Sequence, residues 1–598
     1  MVARVLITSA IERTWPKDTS KPVLFLGEWC KLYKRKHVWQ DLDYKTAAYH
    51  WNDRDKLYKN YLELSAYHET LLTEISVILN QIHGTKYSVR YWRILIGPWL
   101  GWFVQIVYDR WYMLNEVLQK EEIENCIVIK KNYLNRITND MSEFGNSIIY
   151  DDWNELIYGQ LLEICWPDMI RIKYVENSNK INDTSLWQNQ IDKESNSGFK
   201  NTFRNQIKKF IPFFNRLFPK KSAYFFISSY LPLFSDFKLQ IRLGQFPKLW
   251  KAPPTPKVDV DERFRKWALK LNKTNNNPFE QTIAKLLPLH MPKIYLEGYK
   301  VLAQTADQLP WPSMPRAIFT GTLWSDTEIF KIWAAKKTEY KVPLVIGQHG
   351  GHYGTSPFSF SEDHQIKISD KFISWGWTDL SQINIAPIGN LKGFGMNPPK
   401  YDPNGKALMV ELTIPRYSYF LFAVAFSSQF LDYFEDQKVF LSSLRKDIRE
   451  KILIRVNNVD YDWSLPERFK DFMPQLEIDL GHQNIRNLIN ESRVYIATYN
   501  ATTYLESMSW NIPTIIFWDE KHWELRAEAK PLFDLLKTVG IFHTSPMSAS
   551  MHLEEIWNNI DDWWLSDSVQ SARVIFCNQF SKVPKDPLNE LEDFFKSL

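Results

Sequence analysis

The strongest constraint on the fold is the stretch Val494–Phe517, which reads as strand, polar loop, helix, tight turn and strand. Val494-Tyr495-Ile496-Ala497 is a short apolar run. Thr498 to Thr502 is polar, and Thr503 to Trp510 has helical character. Asn511-Ile512-Pro513 then turns the chain into the apolar run Thr514 to Trp518. Two buried strands joined through a helix make a parallel pair, so this part of the chain is α/β.

The same alternation recurs upstream. Candidate strands are Pro22–Leu26, Cys126–Ile129, Ser222–Ser228, Ala317–Thr320, Val342–Ile346, Lys371–Ser374, Ala407–Leu412, Ile452–Val456 and Arg493–Ala497. Helical spacing runs over Leu57–Ile82, Tyr91–Leu118, Asp152–Cys165, Tyr419–Phe434, Val439–Glu450 and Ile485–Ile489, and a helix to about Lys336 follows Asp326. The Pro-rich Asn397-Pro398-Pro399 to Gly405 is the best linker. The expectation is α/β, with two Rossmann-like domains facing a cleft and a helical elaboration in the N-terminal half. The divisions are 1–396, the linker 397–405, 406–570, and a helical tail 571–598.

At 598 residues the chain is too long for one core. A net charge of +4 argues against a general nucleic-acid binder. Cys30, Cys126, Cys165 and Cys577 form no C-x-x-C pair, so neither a zinc site nor a disulfide framework is implied, and no metal is expected. Residues 1–13 lack a secretory apolar core, which fits the cytoplasm. The apolar stretches Ile94–Tyr108 and Tyr417–Leu431 are shorter than the roughly 20 residues a spanning helix needs and read as buried helices. Phe203 to Lys221 combines helically spaced Phe and Ile with six Lys and Arg, a pattern that suits the inner face of an anionic membrane or an ordinary surface helix.

Parallel sheets bind ligands at the C-terminal ends of their strands, so the loops there are the candidate site. Thr502 or Thr503 can cap the helix after Ala497, leaving N–H groups for a phosphate. Asn500 lies in the same loop, and Ser507 follows Glu506. Read in the first helical turn, Glu506 can reach ribose hydroxyls, or it can simply complement the helix dipole. Gly347-Gln348-His349-Gly350-Gly351-His352-Tyr353-Gly354 follows another strand. Its glycines allow close approach of a ligand to the backbone, and His349 can act as a base or at a departing phosphate. Arg455 and Asn457 end a third strand, where a guanidinium can neutralise phosphate or pair at the surface. Glu28 and Asp326 follow strands too and are candidate bases, or solvated loop acids. Gly389, Lys392, Gly393 and Gly395 make a weaker glycine-rich turn. Lys521 to Arg526 borders the donor or forms a solvated helix.

The Val494–Phe517 segment resembles the donor-binding strand–loop–helix of GT-B glycosyltransferases, with Asn500-Ala501-Thr502-Thr503 where those proteins usually have glycine. Gln348-His349-Gly350 resembles a loop of capsule-type transferases, among them Kdo transferases and CDP-glycerol polymer enzymes. Arg455 and Asn457 stand where those relatives often carry Lys-Pro-His-Pro. With Leu26-Gly27-Glu28-Trp29-Cys30, Tyr91-Trp92-Arg93 and Gly97-Pro98-Trp99, most of the chain resembles the LIC-type family of transferases. The resemblance implies metal-independent transfer of a sugar from a nucleotide-sugar co-substrate, with no other cofactor. The acceptor it implies is a surface polysaccharide, a glycan or lipid-linked glycan. His349, Glu28 and Asp326 would be catalytic. Arg455, Asn457, Asn500, Thr502, Thr503, Glu506, Ser507, Gly350, Gly351 and His352 would hold the donor. The alternatives are a CDP-linked polyol-phosphate transferase, a non-catalytic carbohydrate-binding or scaffold protein, and a nucleotide-sugar epimerase.

Overall fold

The computed structural model describes residues 2–130, 133–176, 223–270, 277–394 and 397–598. The Phe203–Lys221 stretch and Gly395 lie outside them. The described strands form three sheets, and every named pair is parallel. The N-terminal sheet holds β1 (Arg4–Ile7), β2 (Val23–Phe25), β3 (Tyr44–Thr46), β4 (Ile123–Ile129) and β5 (Arg171–Val175), in the order β3-β2-β1-β4-β5. The middle sheet holds β6 (Phe225–Phe226), β7 (Ile318–Thr320), β8 (Leu344–Gly347), β9 (Lys371–Ile373) and β10 (Ile385–Ala386), in the order β10-β9-β8-β7-β6. The C-terminal sheet holds β11 (Lys406–Val410), β12 (Ile452–Arg455), β13 (Glu477–Asp479), β14 (Ser492–Ala497), β15 (Thr514–Phe517) and β16 (Phe542–His543), in the order β13-β12-β11-β14-β15-β16.

The protein is therefore mixed α/β with parallel sheets, and the first 396 residues carry two of the three. Strands such as Leu344–Gly347 and Thr514–Phe517 are buried along their whole length. That is why they read as unbroken apolar runs rather than alternating ones.

The helical elaboration is built on Arg54–His83 and Val89–Lys120. Asp53 caps the first by accepting from Lys56 N at 3.0 Å, and Ser88 caps the second by accepting from Tyr91 N at 3.2 Å. The second helix carries Gly97 and Gly101 where the helix Phe360–Ile368 crosses it. A Cβ on Gly101 would lie 2.0 Å from the Phe360 ring, and one on Gly97 would lie 2.6 Å from His364. These glycines let the helix approach the middle sheet's layer. Ile94–Tyr108 is buried helix, as expected.

Tyr417–Leu431 is not a helix throughout. Residues 411–428 are irregular, and one helix runs Gln429–Ser443, followed by a short Lys446–Arg449 turn of helix. The apolar run is wedged against the N-terminal helical layer, and its backbone is taken by distant side chains. Arg110 Nη2 donates to Ser418 O at 2.8 Å, Gln105 Oε1 accepts from Leu421 N at 2.9 Å, and Arg54 Nη1 donates to Val424 O at 3.0 Å. Backbone groups paired in that way are satisfied without a helix.

The chain then recrosses. Asp567–Phe580 packs beside the C-terminal sheet, but Pro587–Lys596 returns to the middle sheet, where Phe595 meets Tyr224, Phe226 and Phe319. Among the described residues no helix is long and apolar enough to cross a membrane.

Candidate functional site

The C-terminal sheet changes direction between β11 and β14, the crevice where open parallel sheets take ligands. Thr498, just past β14, donates to Val410 O at 2.8 Å and ties the two strand ends together. The helix that follows is Thr502–Ser509. Its cap is Ala501, with no side-chain cap bond, so Thr502 and Thr503 are helical residues and not caps. Thr503 Oγ1 lies 3.3 Å from the Tyr499 hydroxyl. Glu506 falls in the second turn rather than the first, beyond the strongest part of the dipole. Burial raises its carboxyl pKa, and the charges of Lys392 and Arg486 pull it back down. Ser507 is buried and bonds to Tyr504 O at 2.9 Å and Thr514 Oγ1 at 3.0 Å, locking the helix to β15.

The Gly-rich loop leaves β8 of the middle sheet and is pinned by Gln348. That amide donates to Gly350 O at 2.7 Å and accepts from Trp375 N at 2.9 Å and Trp377 Nε1 at 2.8 Å. The loop lies on the helix start of the other sheet. A Cβ on Gly351 would be 2.5 Å from the carbonyl carbon and oxygen of Ala501 and 2.6 Å from Thr502 Cα. Asn500 Nδ2 donates to Thr355 Oγ1 at 3.1 Å, and Asn500 Oδ1 accepts from Tyr504 at 3.0 Å. The structure thus brings together His349, Gly350, Gly351 and His352 with Asn500, Thr502, Thr503 and Glu506.

The two histidines differ. His352 Nε2 pairs with Ser359 Oγ at 3.0 Å, and burial pushes it down to about 3. His349 sits beside Trp324 and Tyr353, with ring centroids 6.0 and 5.5 Å away. Its Nδ1 is buried without a partner among the described residues. Burial first, and the Lys392 charge second, push it down to about 4, so it is neutral near pH 7.

Lys392 carries more than its weak sequence signal suggested. Its amine donates to His349 O at 3.3 Å and lies 4.8 Å from the Tyr230 ring centroid and 5.8 Å from that of Trp375. Burial lowers its pKa, and the Glu506 charge opposes that shift. Lys392 therefore stands between the His349 loop and the Glu506 helix.

Arg526 adds a second bridge between the sheets. Its N donates to Thr355 O at 2.8 Å, its Nε to Ser356 O at 2.9 Å and its Nη2 to Glu362 Oε1 at 2.8 Å. Lys521 to Arg526 is turn and loop, not helix.

Of the remaining candidates, Arg455 lies within charge range of Tyr495 and Tyr499, on which the Glu506 charge also acts. Glu28, in the single helical turn Glu28–Cys30 beyond β2, pairs with Lys31 at 2.9 Å. Asp326 is exposed, two residues beyond Trp324, and Thr327 Oγ1 lies 3.5 Å from it. Arg455 pairs with Asp479 at 2.6 Å and donates to Gln483 O at 2.9 Å. Asn457 Oδ1 accepts from Val459 N at 3.0 Å, closing its own turn.

The family described as LIC12162 family transferase matches residues 4–595. A comparison with curated proteins found no match. Among solved structures, the chain is similar to the trehalose-6-phosphate protein from E. coli bound with UDP-2-fluoro glucose. Identity there is 10%, over 56% of this chain and 81% of that one, with a TM-score of 0.30. It is similar to the spinosyn rhamnosyltransferase SpnG complexed with spinosyn aglycone at 13% identity, over 63% and 100%, with a TM-score of 0.29. It is also similar to WaaG, a glycosyltransferase involved in lipopolysaccharide biosynthesis, at 10% identity, over 63% and 98%, with a TM-score of 0.24. Scores of this size place no residue of the chain by superposition.

Proposed function

Because the chain belongs to the LIC12162 family of transferases, we propose that it is a GT-B-type glycosyltransferase taking a sugar from a nucleotide-activated donor. The observation that carries this reading is the contact of Gly351 with Ala501 and Thr502. It sets a histidine loop from one parallel sheet against a helix start from another.

In this reading the donor phosphates meet the N–H groups at Thr502, and Glu506 holds the ribose. Lys392 supplies the compensating charge, so no metal is required of the mechanism. His349 acts at the departing phosphate. It is neutral in the free protein because of burial and Lys392. An arriving diphosphate would favour its charged form and let it donate through Nδ1. A second role excludes the first: if the ring stays neutral on donor binding, it is His349 that takes the acceptor proton. Glu28 and Asp326 remain proposals for the acceptor side, and Arg455 and Asn457 for the edge of the donor crevice. The likeness of Gln348-His349-Gly350 to capsule-type transferases supports a surface-polysaccharide or lipid-linked glycan acceptor, met in the cytoplasm at the inner face of the membrane.

A thermal-shift screen of nucleoside diphosphates and their sugars tests the proposal. A ligand at 100 times its Kd should stabilise the fold by about 2.7 kcal/mol. The shift should vanish in Glu506→Ala. His349→Ala should keep the shift and lose about 10²–10⁴-fold in turnover. Folded protein that responds to no nucleotide would overturn the proposal.

A further inference from the structure

We infer that Glu411 is a ligand-binding residue of the C-terminal sheet, accepting a hydrogen bond from a hydroxyl of the sugar-nucleotide donor. The inference rests on the donor reading above. Glu411 is the first residue past β11, facing the end of β14 across the switch point. It is 3% exposed, and its Oε1 is buried with no partner among the described residues. Thr413 Oγ1, two residues on, is likewise buried without a partner among those residues.

Counting hydrogens fixes what Oε1 can do. Thr498 Oγ1 is 2.8 Å from Val410 O, an atom that can only accept, so the one Thr498 hydrogen goes there. The Tyr433 hydroxyl lies 2.5 Å from Thr498 Oγ1 and 2.7 Å from Glu411 Oε2, and it accepts from Leu412 N at 2.9 Å. With Thr498 committed, the Tyr433 hydrogen goes to Thr498 Oγ1. An ionised Glu411 would accept at Oε2 from Tyr433; with the Tyr433 hydrogen on Thr498, the 2.7 Å contact is satisfied by a protonated Glu411 that donates from Oε2 to Tyr433. That leaves Oε1 as a carbonyl-type acceptor whose lone pairs have no partner among the described residues. Burial pushes the Glu411 carboxyl up to about 8, which keeps the proton in place at neutral pH. A carboxyl held uncharged in this way can lie beside a donor diphosphate without repelling it. An acceptor without a hydrogen in a donor crevice calls for an O–H, and the donor offers two sources, its ribose and its transferred sugar.

The test compares Kd for UDP, GDP, CDP and ADP, and for the sugar conjugate of whichever binds, on wild type, Glu411→Gln and Glu411→Met. Gln can put its NH₂ toward Tyr433 and keep an oxygen at the open position, so it should bind within about twofold of wild type. Met should bind about tenfold more weakly. Loss confined to the sugar conjugate assigns the transferred sugar, and equal loss for the diphosphate alone assigns the ribose. Either result supports the inference. Matching deoxy ligands on wild type remove the contact from the other side, and they decide the case if Glu411→Met does not fold. Unchanged affinity in Glu411→Met, or in the deoxy ligands, overturns the inference while leaving the donor reading intact. Glu411→Gln as weak as Glu411→Met overturns it as well. Wild type that binds none of the diphosphates overturns the donor reading, and this inference with it.

Discussion

Two adjacent glycines in the Gly350-Gly351 loop have opposite surroundings, and substituting each by alanine tests the contact on which the site depends. A methyl on Gly351 would sit 2.5 Å from the Ala501 carbonyl atoms and 2.6 Å from Thr502 Cα. Carbon atoms settle about 3.5–4.0 Å apart, so one of the two segments has to move by about 1 Å. All the atoms in the way are backbone, so no side-chain rotation relieves the clash. Overpacking of this kind costs about 1–3 kcal/mol, and the upper end applies where backbone must yield. Restricting the unfolded chain returns about 0.4–1 kcal/mol, leaving a net loss of about 2 kcal/mol. For a domain of roughly 150–250 residues that lowers Tm by about 4–8 °C. Gly350→Ala is the control, because its nearest neighbour would be 3.8 Å away, an ordinary contact. Scanning calorimetry of the two variants beside wild type measures the difference. Donor affinity should fall in Gly351→Ala and hold in Gly350→Ala. Equal Tm values for the two variants would refute the loop-to-helix contact.

Two further outcomes are expected. Arg416 is buried, pairs with Asp151 at 2.6 Å and reaches Trp29 O, so Arg416→Met should cost about 3 kcal/mol in denaturant titration. A loss below about 1 kcal/mol would mean that the clamp does not hold. Burial pushes the Glu362 carboxyl up to about 7, with Arg526 opposing the shift. The folded protein then binds a proton that the unfolded chain has released. The associated stability is complete below the ordinary carboxylate range and is lost as pH rises through about 7. Tm should fall between about pH 5 and pH 8, and Glu362→Gln should flatten that portion of the curve. Parallel curves for the two proteins would show that Glu362 carries no such linkage.

The parts of the fold that local physics decides were legible in the chain. The helices Arg54–His83 and Val89–Lys120 have long apolar periodicity, and β8, β9, β14 and β15 are strands buried enough to read as apolar runs. Other elements gave little signal. The two-residue strands β10 and β16 and the polar Glu477–Asp479 are too short to show a period. The helical reading of Tyr417–Leu431 failed up to residue 428 because tertiary partners overrode it, since Arg54, Gln105 and Arg110 claim the backbone there. At the site, the loop at His349 and the helix at Glu506 stood out through glycines and strand–helix context. Lys392 was one cation in a glycine-rich turn, and only the fold brings it within range of the Glu506 charge. Glu411 had no motif at all, because its chemistry depends on Tyr433 and Thr498 meeting it in space.

The helical elaboration also bears on how the proposed cleft opens. The Val89–Lys120 helix meets the middle sheet's layer through Gly97 and Gly101, where His364 and Phe360 press against its backbone. The same helix holds residues 411–428 through Arg110, which bonds to Ser418, while Arg54 grips Glu524 at 2.6 Å and Arg416 grips Asp151. The sheets that carry His349 and Glu506 are therefore both fastened to one helical post. A hinge confined to residues 397–405 would have to break the buried Arg110 and Arg416 contacts, at about 3 kcal/mol or more for each partner stripped. Local movement of the Gly350–Gly351 loop, or of the Arg526 bridge, breaks fewer buried polar contacts. If the proposed donor site is right, donor entry is accordingly a matter of loops at the switch point, and the long helix sets the distance across which those loops work.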